Sequence, residues 1–206
     1  AVYSAYFQGQ VVGGSEGTRL WGVSVGIAML VVAVLSPVLG TLADFSAAKK
    51  KFLLFFTTLS VIFTAALFFV MPGDVFTGML FFILAEIGYR AAQVFYNALL
   101  PEIATSQEIG KVSGNGWAFG SLGGIVCLLI VLALIMSIGG TTVVRFSFLI
   151  TAAFYLASSV PLFLWLRERA EPQQLGQRDS YLRVAFRRLR ETFRAVRHYK
   201  EFIKFI

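Results

Sequence analysis

Five apolar runs, each long enough to cross a lipid bilayer as a helix, constrain this chain more than any other feature. They are residues 20–43, 52–71, 75–99, 112–138 and 143–166. A bilayer core about 30 Å thick needs about 20 apolar residues of helix. Lipid gives the backbone no hydrogen-bond partner, so a span must be a helix or part of a closed barrel. Barrel strands alternate over about ten residues, and these runs are longer and unbroken. Composition agrees: 57% of residues are hydrophobic and 14% charged, against about 45–50% and about 25% in soluble domains. The expected fold class is therefore an all-α membrane protein.

The chain opens inside an apolar pattern and stops inside another. Residues 1–12 read as the tail of a first helix, so the five runs become helices two to six. The expected organisation is a transmembrane bundle over 1–166, a basic loop over 167–198 and the start of a seventh helix over 199–206. Leu182, Phe186, Leu189, Phe193 and Val196 recur at helical spacing among arginines. This predicts a basic amphipathic helix, which fits either the anionic inner leaflet or the ends of the bundle.

Basic residues fall on alternate connections. Lys49, Lys50 and Lys51 lie in one, Lys111 in the next on that side, and nine arginines in 167–198. The positive-inside rule makes that side cytoplasmic. The net charge of +7 thus reads as a topology signal, and no nucleic-acid partner is expected. Trp21, Trp117 and Trp165 fall near span ends, as interfacial anchors do. Arg145 is expected to snorkel to the outer interface. Cys127 is read as buried packing and His198 as a surface residue. No metal site, cofactor or catalytic residue is expected: there is no phosphate-cradling loop, zinc spacing or nucleophile elbow. The chain is read as no enzyme, and any transport as driven by an ion or solute gradient.

Charge inside the membrane is the sharpest functional signal. Glu86 and Arg90 sit in the fourth helix, four residues apart and so on one face. Gln93 and Asn97 continue that face. An ionised side chain at the bilayer centre costs about 2.5–3.5 kcal/mol on insertion scales, so this face should point at the bundle interior or an aqueous cavity. Three readings stand side by side. Glu86 could carry a proton, Arg90 could bind a substrate carboxylate, or the two could form a structural ion pair.

Two stretches carry a resemblance. Gly40-Thr41-Leu42-Ala43-Asp44, followed by Lys49-Lys50-Lys51, resembles the loop signature of the major facilitator superfamily, with departures at Phe45 and Ala48. The second stretch runs from Tyr96-Asn97-Ala98-Leu99-Leu100-Pro101-Glu102-Ile103-Ala104 into Gly116-Trp117-Ala118-Phe119-Gly120 and Gly123-Gly124. It resembles the vacuolar amino-acid effluxer-like, autophagy-related branch and its bacterial relatives. The resemblance implies a twelve-helix, two-bundle secondary transporter, of which this chain would be the N-terminal six-helix bundle. It also implies a conformational latch at Gly40 and Asp44, and a small solute, an amino acid, as substrate. Gly116, Gly120 and Gly124 recur every four residues, a spacing that lets helix backbones approach closely in lipid.

The leading expectation is thus a secondary transporter moving a small solute by alternating access, with an amino acid the solute the resemblance implies and proton coupling through Glu86 one option. A different class is a transporter-fold subunit of a membrane complex without flux of its own, and a third a handler of lipids or lipophilic pigments. Membrane lipids are expected partners in every case, a transported solute in the first and a membrane-complex partner in the second. The expected location is a bacterial inner membrane, with an organelle membrane as the alternative.

Overall fold

The computed structural model describes residues 2–45, 48–166 and 168, with Val184, Phe186, Arg187 and Arg190 as isolated positions. The expected amphipathic helix and the start of a seventh helix lie outside this set, apart from those isolated positions. Every regular element among the described residues is helical. Helix α1 (Val2–Tyr6) continues as a π-helix over Phe7–Val12. Five helices long and apolar enough to cross a membrane follow. They are α2 (Gly14–Phe45), α3 (Lys49–Ala66, ending in a 3-10 turn over Leu67–Phe69), α4 (Val75–Ile103), α5 (Ile109–Ile138) and α6 (Thr141–Trp165).

Each helix outruns its apolar stretch at one end or both. At 1.5 Å per residue the 30 residues of α5 extend about 45 Å, beyond the hydrocarbon core. The connections are correspondingly short. Only Gly139 and Gly140 separate α5 from α6, with φ of 71° and 87°, a left-handed backbone that side-chain-bearing residues rarely adopt. Between α3 and α4 the amide of Met71 donates to the Asp74 carboxylate at 3.0 Å, which closes the Pro72-Gly73 turn.

Helices α3 and α4 form the centre, with α2 against α4 and α6 against α3. Two apolar clusters hold them. At the end carrying Lys49–Lys51, here the basic end, Leu39, Ala43, Leu53, Ala92, Phe95 and Leu99 are buried together. Phe52 and Phe56 stack on Phe95 with ring centroids 5.2 and 5.8 Å away. At the opposite end Tyr3, Tyr6, Phe7 and Val11 pack with Leu67, Val70 and Phe148. There the Tyr3 hydroxyl donates to the Gly78 carbonyl at 2.8 Å, and the Tyr6 hydroxyl to the Val70 carbonyl at 2.9 Å. The short α1 segment is therefore fixed by a buried aromatic cluster with satisfied polar tips.

This cluster changes one expectation. Trp21 packs 4.3 Å, centroid to centroid, from Phe82 and is part of the aromatic core. Trp117 and Trp165 are each 80% exposed, as interfacial anchors would be.

The central crossing of α3 and α4 depends on a glycine. A Cβ built on Gly88 would lie 2.8 Å from the Ser60 amide nitrogen and 2.9 Å from the Phe56 carbonyl oxygen. Both are backbone atoms that a rotamer change cannot move. Alanine ordinarily favours a helix by up to about 1 kcal/mol over glycine. Here overpacking is expected to reverse the sign, with Gly88→Ala destabilising by about 1–3 kcal/mol. Thermal unfolding of the detergent-solubilised protein reads this directly, and a stabilised variant would show that the crossing is looser than described.

Candidate functional site

Helix α4 buries Ala85, Gly88, Ala91, Ala92, Phe95 and Leu99 toward its neighbours. The remaining face carries the polar residues. Arg90 Nε donates to Glu86 Oε1 at 2.7 Å. The two side chains are 34% and 22% exposed respectively, so the pair is accessible from one side. One turn on, Gln93 Nε2 donates to the Tyr89 hydroxyl at 3.0 Å, and the Tyr89 ring meets that of Tyr155 on α6 edge-on at 6.4 Å. Gln93, Tyr96 and Asn97 are exposed. The structure thus brings Glu86, Arg90, Gln93 and Asn97 onto one open strip.

The strip can do two things chemically. The guanidinium keeps N–H donors beyond the one bonded to Glu86, a geometry suited to a planar carboxylate. The carboxylate beside it can hold a cationic group or a proton. Tyr89 was missed from the sequence, although its place four residues before Gln93 is the spacing of a helical neighbour.

A second polar constellation lies at the basic end. Lys49 is 9% exposed and its Nζ meets Glu102 Oε1 at 2.6 Å and the Ala98 carbonyl at 3.3 Å. Glu168, just beyond α6, accepts from the amides of Lys49 at 2.7 Å and Lys50 at 3.4 Å. A carboxylate at a helix N-terminus satisfies free amides and opposes the positive end of the dipole. Lys50 Nζ donates to the Leu166 carbonyl at 2.6 Å. The first turn of α3 is thereby tied to the ends of α4 and α6. Sequence reading took these lysines as a topology signal and as the basic run of the loop signature, without assigning them partners. Glu102 and Glu168 lie far along the chain, and no local pattern links them.

Gly40 and Asp44 occupy the last turns of α2, with Asp44 exposed. A Cβ on Gly40 would meet nothing within 4 Å. The same holds for Gly120 and Gly124, while Gly116 lies close to the Tyr96 hydroxyl, 2.9 Å from its Cβ position. Most of the α5 surface is exposed, so its small-residue face is largely open among the described residues. Arg145 is tied to the end of α3. Its Nε donates to the Phe68 carbonyl at 2.7 Å and its guanidinium lies 5.0 Å from the centre of the Phe68 ring. The 3-10 turn ending α3 leaves carbonyls that a nearby cation can cap. No group of acidic, histidine or cysteine side chains among the described residues is arranged to hold a metal.

Comparison with known proteins supplies the context for this geometry. The family described as vacuole effluxer Atg22 like matches residues 21–206. The chain is 28% identical over 202 residues to an uncharacterized MFS-type transporter, YxiO, of Bacillus subtilis (strain 168), covering 95% of this chain and 46% of that protein. It is 32% identical over 111 residues to an uncharacterized protein of Aquifex aeolicus (strain VF5), covering 54% of this chain and 28% of that one. The chain therefore spans less than half the length of these curated relatives. No solved structure matches it significantly.

Proposed function

The chain belongs to the vacuole effluxer Atg22-like family of major facilitator transporters, and from that premise we propose that the whole protein is a secondary transporter moving an amino acid by alternating access. The observation that carries the proposal is the strip on α4. An ion pair and two amide side chains, Gln93 and Asn97, sit on a helix otherwise buried through small and apolar residues. In this reading Arg90 receives the solute carboxylate. Glu86 meets its ammonium or carries the coupled proton. Charge placed within a span this way marks substrate and ion pathways.

The described residues form one helical bundle, and in this proposal it is the N-terminal half of a twelve-helix transporter. The basic end is cytoplasmic, by the positive-inside rule. The open face of α5 with Gly116, Gly120 and Gly124 would slide against the other half, and Gly40 with Asp44 would latch one state. The membrane is proposed to be a bacterial inner membrane.

The test is water access. With every native cysteine of the full-length protein, Cys127 included, replaced by alanine, Gln93→Cys and Asn97→Cys should react with a membrane-impermeant maleimide, and saturating amino acid should slow the reaction. Modification by lipid-soluble reagents alone would place the strip against lipid or packed protein and sink the site assignment.

A further inference from the structure

A groove of about 240 Å³ lies between α3 and α6, lined by Leu54, Thr58, Leu156, Val160, Phe163 and Leu164 among others. It is smaller than the roughly 300–1,000 Å³ of ordinary small-molecule sites, and its chemistry is hydrocarbon. Of the three hydroxyls along it, that of Thr57 is buried, Ser159 donates to the Leu156 carbonyl in its own helix at 2.8 Å, and Thr58 is exposed. Leu54, Leu156, Val160 and Leu164 are 48%, 49%, 42% and 70% exposed. The groove therefore opens sideways on the apolar perimeter of the bundle.

Its depth and its mouth both fit a lipid. From Leu164 to Leu156 is about 12 Å along the helix axis, most of the thickness of one leaflet's hydrocarbon, about 15 Å. Trp165, the last residue of α6 and 80% exposed, marks the headgroup level as interfacial tryptophans do. At that level Lys51 stands three residues before Leu54 and seven before Thr58, on the same face of α3. Lys51 is exposed. Among the described residues at this level, Lys49 is engaged with Glu102 and Lys50 with the Leu166 carbonyl. The carboxylate of Glu168 is turned onto the α3 amides, and the exposed Lys51 gives the mouth a positive charge.

We propose that this groove is a binding site for an anionic phospholipid of the leaflet at the basic end. One acyl chain lies along Leu54, Val160 and Phe163, and the phosphate sits at Lys51. The site is separate from the α4 strip and does not depend on what the protein transports.

The test uses full-length protein in nanodiscs of equal phosphatidylglycerol and phosphatidylcholine, with retained lipids counted by native mass spectrometry. Wild-type protein should retain phosphatidylglycerol in preference. Lys51→Ala should cut that preference about fivefold, the effect of one basic side chain near a charged membrane surface, with total retained lipid little changed. Val160→Trp, which fills the groove, should lose the bound lipid of both kinds while its helical content stays that of wild type. A preference unchanged in Lys51→Ala overturns the headgroup assignment, and unchanged retention in Val160→Trp overturns the site. Because Lys51 is exposed, its substitution leaves the bundle folded and keeps the first comparison decisive.

Discussion

Lys49→Ala is expected to lower the stability of the bundle by about 3 kcal/mol, the cost of breaking a buried ion pair from one side. The ammonium and the Glu102 carboxylate are 2.6 Å apart with side chains 11% and 10% exposed. Removing Lys49 takes the ammonium at 2.6 Å from a carboxylate whose side chain is 10% exposed, and it also unties α3 from the Ala98 carbonyl. Glu102→Gln should cost less, because an amide can still accept from the ammonium. The double variant Lys49→Ala with Glu102→Ala should recover part of the loss, since the carboxylate that lost the ammonium is then removed as well. A double-mutant cycle by thermal unfolding isolates this coupling. Coupling below about 1 kcal/mol would class the pair with exposed salt bridges and remove its role in holding the basic end together.

The second large effect is expected at Arg90. Arg90→Ala should weaken solute binding about tenfold or more, because a hydrogen bond to a charged group contributes about 1.5–3 kcal/mol. Arg90→Lys should recover little, since an ammonium cannot offer a carboxylate two parallel N–H donors. Binding is read from the solute-induced rise in melting temperature of the full-length protein, which follows ligand occupancy. A melting temperature that falls in Arg90→Ala, together with an undiminished solute-induced rise, would return Glu86 and Arg90 to a structural ion pair.

Most of the architecture was legible because lipid imposes a simple rule on sequence. The apolar runs located all five long helices, and the structure moved only their ends. Helix α2 starts six residues before its run, at Gly14, since Ser15, Glu16 and Arg19 are polar yet helical beyond the hydrocarbon. The π-helix over Phe7–Val12 was not legible. Its Gln-Gly-Gln centre carries no periodic signal, and the segment is shaped by burial of Tyr6 and Phe7 at its start.

Glycines show the limits of spacing most clearly. The regular series Gly116, Gly120, Gly124 stands out in the sequence, whereas the tightest backbone approaches are at Gly17 and Gly88. A Cβ on Gly17 would lie 2.5 Å from the Gln8 carbonyl oxygen. Periodicity reports which residues share a face but not what covers it. The same holds for charge. Glu86 and Arg90, one turn apart, could be paired from spacing alone. Lys49 and Glu102, brought together only by the packing of α3 on α4, could not. The partner of Arg145 was not legible for a related reason, since it is a backbone carbonyl whose release depends on how α3 ends.

The central claim is that the α4 strip lies on the path of a transported solute. The most direct measurement is uptake of a panel of amino acids by proteoliposomes holding the full-length protein, with and without an imposed proton gradient, beside Glu86→Gln. Saturable uptake that responds to the gradient in the wild type, and loses that response in the variant while solute exchange persists, is the predicted result. Gradient-driven uptake equal in the two proteins would take Glu86 out of the coupling, and the absence of flux for every solute in the panel would contradict the account.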